Sequence, residues 1–245
     1  MMFAGKNILI TGASSGIGCA MARYFHASGA TVIMVARRKE VLRGLAAELG
    51  DRALVCAEDL SVLENVQKIF IFCKEQEIRL DGIIHCAGIT ANMPLRVNDI
   101  ARMEQIMHVN VEALAQICKF ASSKRYTNDG AGIVAMSSSA SWYGDRGLAI
   151  YSASKAAVNL LVKSAARELS PRKIRINAIA PAMVRTEMYY ETLKEIPQIE
   201  HVISASQPLG LIEPEYLAYL AGFLISEQSK FTTGTIITVG AGQIF

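Results

Sequence analysis

A tyrosine and a lysine stand four residues apart in YSASK, Tyr151 to Lys155, inside a stretch that reads AIYSASKAAVNLLVKSAARELSP. From Ile150 to Leu169 the pattern is helical, with Ala153, Ala157, Leu160, Leu161, Ser164, Ala165 and Glu168 recurring at spacings of three and four. Residues i and i+4 lie on one helix face, one turn apart, so Tyr151 and Lys155 point into the same space. An ammonium beside a phenol favours the phenolate and lowers its pKa. That would make Tyr151 a proton donor or acceptor near neutral pH. Taken alone, the spacing better suits an ordinary helix with a solvated lysine and an interfacial tyrosine, since any Y-x-x-x-K matches, and the elements that position the pair must decide.

Those elements alternate. Strand-like runs fall at Asn7–Ile10, Thr31–Val35, Ala53–Cys56, Gly82–His85, Gly132–Met136, Arg175–Ala178 and Thr235–Val239. Helix-like stretches fall between them, at about 17–28, 39–49, 61–77, 100–125, 150–169 and 214–226. This alternation predicts a single doubly wound Rossmann domain over residues 1–245, a seven-stranded, mostly parallel sheet with helices on both faces. In such sheets the ligand lies beyond the carboxyl ends of the strands. The chemically unusual stretches follow the strands in turn: TGASSGIG, ARRK, EDLS, HCAG, SSS and PAMVRTE.

Bulk composition narrows the class. Twenty-five basic against 22 acidic residues give a net charge of +3, too mild for a nucleic-acid or membrane-surface partner. Five scattered cysteines form no C-x-x-C pair and read as reduced core residues of a cytoplasmic protein. No apolar run approaches the ~18 residues that span a bilayer. No metal site is predicted.

NILITGASSGIG runs from a buried strand straight into a helix. Gly12 allows the tight turn, Gly16 a close backbone approach to a ligand, and Gly18 the packing of helix on sheet. The helix N-terminus offers N–H groups and a positive dipole end to a phosphate, which predicts a dinucleotide. The second strand says which one. An acid there binds the ribose 2′-OH of NAD, but TVIMVARRKE has Ala36 in that place, followed by Arg37, Arg38 and Lys39. Three cations at a helix start oppose the macrodipole, whereas a 2′-phosphate would explain them. NADP(H) is predicted.

With these motifs in hand, the chain resembles the short-chain dehydrogenase/reductase family from end to end. TGASSGIG matches the family's glycine motif, HCAG stands where NNAG is usual, and YSASK matches Y-x-x-x-K. MSSS holds Ser138, with twelve residues between it and Tyr151 as the family pattern requires. Asn110 lies on the apolar stripe Met103, Met107, Leu114, Ile117 and Ala121, where a buried amide needs partners. The family places an asparagine here that supports a water chain to the lysine. The resemblance thus implies a catalytic set of Asn110, Ser138, Tyr151 and Lys155.

It also implies hydride transfer between a nicotinamide and a carbonyl carbon. Tyr151 would supply the proton, Ser138 would orient the oxygen, and Lys155 would bind the nicotinamide ribose. Cofactor contacts would come from Gly12, Ser14, Ser15, Gly16 and Ile17, from Arg37 and Arg38, and from Asp59 and Leu60 at the adenine. Cys86, Ala87, Gly88, Tyr151, Lys155, Pro181, Val184 and Thr186 would complete them. The chain departs from the family at His85 and Cys86, at Ala182, where glycine is usual, and at VGAG, which replaces V-D-G-G.

PLGLIEPEYLA resembles the PLGR-x-G-x-PEE-x-A of 3-oxoacyl-carrier-protein reductases, with Leu211 in place of the arginine. A carbonyl or alcohol substrate is expected, possible carriers including an acyl carrier protein. Sugar, steroid or quinone carbonyls remain open, as does a sensor or scaffold that binds dinucleotide without turnover. For a carrier-bound substrate, Lys124, Arg125, Arg172 and Lys173 are expected beside the active-site mouth. Small apolar faces (Ala156, Ala157, Ser164, Ala165) on helix 150–169, with helix 100–125, predict a homodimer or homotetramer, with Gln243-Ile244-Phe245 at a second interface.

Overall fold

Ile8, Leu9 and Ile10 have no exposed surface, and neither do Val32, Ile33 and Met34. Strands without a polar face must be covered on both sides, which is the mark of a parallel sheet wrapped in helices. A computed structural model describes residues 1–195 and 198–243. It shows seven strands in the order β3-β2-β1-β4-β5-β6-β7, and every pairing is parallel.

The strands are β1 (Asn7–Thr11), β2 (Thr31–Val35), β3 (Ala53–Cys56), β4 (Leu80–His85), β5 (Thr127–Met136), β6 (Arg175–Pro181) and β7 (Ile236–Val239). The helices are α1 (Gly16–Ala27), α2 (Lys39–Leu49), α3 (Glu64–Glu75), α4 (Ile100–Met107), α5 (Ala113–Ala121), α6 (Ala149–Leu169), α7 (Glu187–Glu195), α8 (Ile199–Ser206) and α9 (Pro214–Ile225). One core joins the sheet to α3, α5 and α6 through Phe70, Ile117 and Val162. The other joins it to α1, α2 and α9 through Phe25, Leu42 and Leu224.

The strands agree with the sequence reading except at their ends. β5 begins at Thr127, five residues earlier than the apolar run, because Gly130 and Asp129 carry the ladder past a register shift opposite Leu80 and Gly82. The stretch expected as one helix over 100–125 is two, joined by a π-helical turn at His108–Glu112. Two helices, α7 and α8, occupy a segment with no assigned structure. Each buries one side chain only, Tyr189 and Ile203 respectively, too little for a legible stripe.

On α6 the core face is Ser154, Val158, Val162, Ala165, Ala166 and Leu169. Ala165 is therefore core rather than flat outer surface, while Leu160 is 66 % exposed. Of the C-terminal trio, Ile244 and Phe245 lie outside the described residues. No described helix is long and apolar enough to cross a membrane.

Candidate active site

Between β1 and β4 the strand order reverses its progression across the sheet, and the crevice above that point is where such sheets bind ligands. Gly12 has φ +69, and a Cβ there would come within 2.8 Å of the Ala87 amide nitrogen. A Cβ on Gly18 would meet the Gly12 carbonyl oxygen at 2.2 Å. The loop after β1 is thus folded tightly against the loop after β4, with no room for side chains. Helix α1 opens at Ser15 with no side-chain cap and no acidic residue in its first turn, leaving its positive end to an anion. Thr186 closes over the loop, its Cγ2 3.1 Å from where a Gly16 Cβ would stand. These residues fit the pyrophosphate of a dinucleotide.

At the end of β2, Arg38 rather than Arg37 grips the loop. Its guanidinium donates to Ser14 Oγ at 3.0 and 3.2 Å and to the Ser14 carbonyl at 3.2 Å. Arg37 turns away toward Asp59, 4.0 Å from its carboxylate. Asp59 otherwise caps its own turn through the Ser61 amide and hydroxyl, with Leu60 buried beside it.

The reactive groups gather across the crevice. Lys155 is 4 % exposed and donates to the Met136 carbonyl at 2.8 Å. Its ammonium lies 5.7 Å from the Tyr151 ring centre. A Cβ on Gly88 would lie 3.3 Å from both Lys155 Nζ and Asn110 Oδ1, so Gly88 is the place where those groups converge. Asn110 is fully buried in the π-helical turn. Its Oδ1 accepts from the Ile89 amide at 2.9 Å, and its Nδ2 donates to the Ile89 carbonyl and to Ser154 Oγ. The extra residue of a π turn redirects a side chain that regular helix would align with its neighbours. Ser154 in turn donates to the Tyr151 carbonyl, which links Asn110 to the first turn of α6.

Electrostatics departs from the expectation drawn from Tyr151 and Lys155. Burial is the largest effect on the Tyr151 phenol and raises its pKa, against a hydrogen bond from Ser138 that lowers it; the nearby Tyr143 raises it again. The Lys155 ammonium, bonded to the Met136 carbonyl, does not overcome that burial. Burial lowers Lys155 itself to about 8, with Cys86 opposing slightly. His85 is pushed down to about 3 by burial and then by Lys155, against a backbone interaction at Val109. Its Nδ1 pairs with Thr11 Oγ1 at 3.0 Å, and Thr11 also accepts from the Ala87 amide. His85 thus takes over a strand-end tie, although its Nε2 lacks a well-formed bond among the described residues. Burial raises the Cys86 thiol to about 12.

Other predicted positions fall into place unevenly. Pro181 ends β6, and Val184 bridges to Ile212. Ala182 packs against the α1–α2–α9 core, and the VGAG carbonyl of Ala241 accepts from the Leu209 amide.

The four basic residues expected at the mouth are not there in this chain. Arg172 donates to the carbonyl of Thr127, the first residue of β5, to that of Ala121 and to Asp129, which Lys124 also faces at 3.9 Å. With Arg125 and Lys173 they lie at the amino end of the sheet, opposite Tyr151. Sequence reasoning also missed polar positions around the site, namely Thr11, Ser137, Ser141, Tyr143, Ser154 and Asn159. Among the described residues no cluster of three His, Cys, Asp or Glu could hold a metal.

Glycine loop, sheet and tyrosine–lysine helix define an oxidoreductase of the dinucleotide-fold class, and comparison with known proteins narrows it. A family model described as enoyl-(acyl carrier protein) reductase matches residues 12–243. The chain belongs to the short-chain dehydrogenase/reductase family. It is 36 % identical to an A-factor type gamma-butyrolactone 1′-reductase (1S-forming) of Streptomyces virginiae, covering 96 % of this chain and 93 % of that one. It is 31 % identical to a 3-oxoacyl-(acyl-carrier-protein) reductase of Thermotoga maritima over all of both chains. A short-chain dehydrogenase/reductase (glucose/ribitol dehydrogenase) from Brucella melitensis, a solved structure, superposes with a TM-score of 0.93 at 28 % identity, covering 100 % of this chain and 98 % of that one.

Proposed function

We propose that this protein is a cytoplasmic, homo-oligomeric NADPH-dependent reductase of a ketone carried on an acyl ester or thioester. The observation that carries the reading is the Tyr151 phenol hydrogen-bonded to Ser138, with buried Lys155 and Asn110 converging on Gly88 beside it. The names of the relatives support a carbonyl substrate, and two of them name acyl carrier protein or lactone substrates.

NADPH bound along the glycine loop supplies the hydride. The remaining chemistry belongs to the chain. Ser138 donates a hydrogen bond to the substrate oxygen and orients it. Tyr151 delivers its proton to that oxygen as negative charge develops, which its raised pKa suits, since the phenol is protonated throughout the neutral range. Lys155 holds positive charge at the crevice, where it would bind the nicotinamide ribose. Asn110 fixes the backbone at Ile89 and, through Ser154, the start of α6. Arg38 with Ser14 is the 2′-phosphate site, because the guanidinium already lies over the loop and Ala36 offers no competing carboxylate.

The test is a substrate panel followed by nicotinamide absorbance: acetoacetyl-CoA, a ketolactone, and sugar, steroid and quinone carbonyls, each with NADPH and NADH. Reduction of the 3-oxo thioester or ketolactone with NADPH is expected. Tight NADPH binding without turnover of any member would instead support a dinucleotide sensor.

A further inference from the structure

One turn beyond Lys155 on α6, Asn159 faces the sheet beside Val158 and Val162 and is 6 % exposed. A polar amide among such neighbours is costly unless bonded, and both ends of this one are. Oδ1 accepts from Ser137 Oγ at 2.7 Å, and Nδ2 donates to Ser141 Oγ at 2.9 Å. Ser141 Oγ in turn donates to the Ser138 carbonyl at 2.6 Å. The two serines flank Ser138: Ser137 follows the end of β5, and Ser141 ends the short 3-10 turn Ser139–Ser141 that Ser138 caps. Ser138 Oγ accepts from the Ala140 amide at 3.2 Å, which leaves its own proton to donate. One amide side chain therefore fastens the turn bearing Ser138 to the helix bearing Tyr151.

We propose that Asn159 is a positioning residue that sets Ser138 against Tyr151 across the β5–α6 junction. This rests on the reading above that Ser138 and Tyr151 are catalytic. A purely structural buried asparagine would be equally well bonded. What sets the proposal apart is that its effect must pass through Ser138.

The decisive experiment is a double-mutant cycle with acetoacetyl-CoA and NADPH. Asn159→Ala is expected to lower kcat about 10- to 100-fold, as a misplacement of about 1 Å does, with NADPH affinity changed less than about twofold. In a Ser138→Ala background it should cost almost nothing further, since the group it positions is gone. Ser141→Ala, which opens no large cavity, should reproduce the effect if Asn159→Ala folds poorly. An equal loss in both backgrounds overturns the proposal. The crystal structure of the Asn159→Ala variant gives a second arm that needs no substrate: Ser138 displaced from Tyr151 supports positioning, and an unmoved Ser138 overturns it. Should the wild type reduce no panel substrate, the functional reading fails by itself and this second arm still decides.

Discussion

Among the described residues two cations, Arg175 and Lys155, are buried, and they are satisfied in opposite ways. Arg175, at the start of β6, spends its guanidinium on the carbonyls of Leu224, Ile225, Ser226 and Ser229 and on the Ser229 hydroxyl. These include the last carbonyls of α9, which no helical amide can reach. Lys155, at the other end of the sheet, has one carbonyl bond, to Met136. Full satisfaction fixes a helix end. Burial lowers the proton affinity of both, but only Lys155, lowered to about 8, is brought near the neutral range. The difference teaches where function sits: His85, Tyr151 and Lys155, all shifted by burial, gather at the carboxyl ends of the strands, while the amino end holds paired charges such as Lys6–Asp81 and Arg172–Asp129.

The comparison breaks most visibly on removing each cation. Lys155→Met should lower turnover by about 10²-fold or more while the fold is retained, since loss of a positioned charge acts on the transition state. In the wild type, reduction should fall as pH rises past about 8, where Lys155 loses its proton. A pH profile flat through that region would contradict the shifted lysine. Arg175→Met should do the reverse, destabilising the protein by about 3 kcal/mol in chemical denaturation because several buried carbonyls lose their donor, with kcat near normal in the remaining folded protein. A stable Arg175→Met would show that the helix end has other partners.

Arg38→Ser should weaken NADPH by about 10-fold and leave NADH nearly unchanged, in keeping with one lost charge-assisted contact. Arg37→Ser should do less, because Arg37 faces Asp59. Competition binding with both nucleotides settles the ranking; equal losses for NADPH and NADH would remove the 2′-phosphate site.

The effect that is smallest at neutral pH concerns His85. Its folded pKa of about 3 lies below the ordinary 6.5, so the unfolded chain binds the proton more readily. Stability from this residue is complete above about pH 6.5 and is lost as pH falls toward 3, at about 1.4 kcal/mol per unit. His85→Asn should flatten that acid limb in urea midpoints measured from pH 7 down to 5. An unchanged slope would mean that another group governs it.

Much of this was legible in the sequence. The apolar strands announce themselves because both faces are buried, and the glycine loop because Gly12 and Gly18 have no room for a Cβ. Tyr151 and Lys155 follow from helical spacing. The π turn at Asn110 was not legible, since an extra backbone residue leaves the apolar stripe nearly in phase. Nor was the Asn159 tie, because an asparagine in an apolar helix looks the same whichever serines it meets. The misplaced basic residues are a different case. Lys124 and Arg125 precede β5, and Arg172 and Lys173 precede β6; in a parallel sheet that alone assigns them to the amino end. The expected lowering of the Tyr151 pKa failed because spacing reports which face a lysine shares, not how deeply the phenol is buried.

The central claim is that Tyr151 supplies the proton for carbonyl reduction, and the most direct measurement is single-turnover oxidation of bound NADPH by the Tyr151→Phe variant with acetoacetyl-CoA. The account predicts unchanged NADPH affinity and a hydride-transfer rate ~10²–10⁴-fold below wild type, as loss of a general acid implies. A wild-type rate in that variant would contradict it.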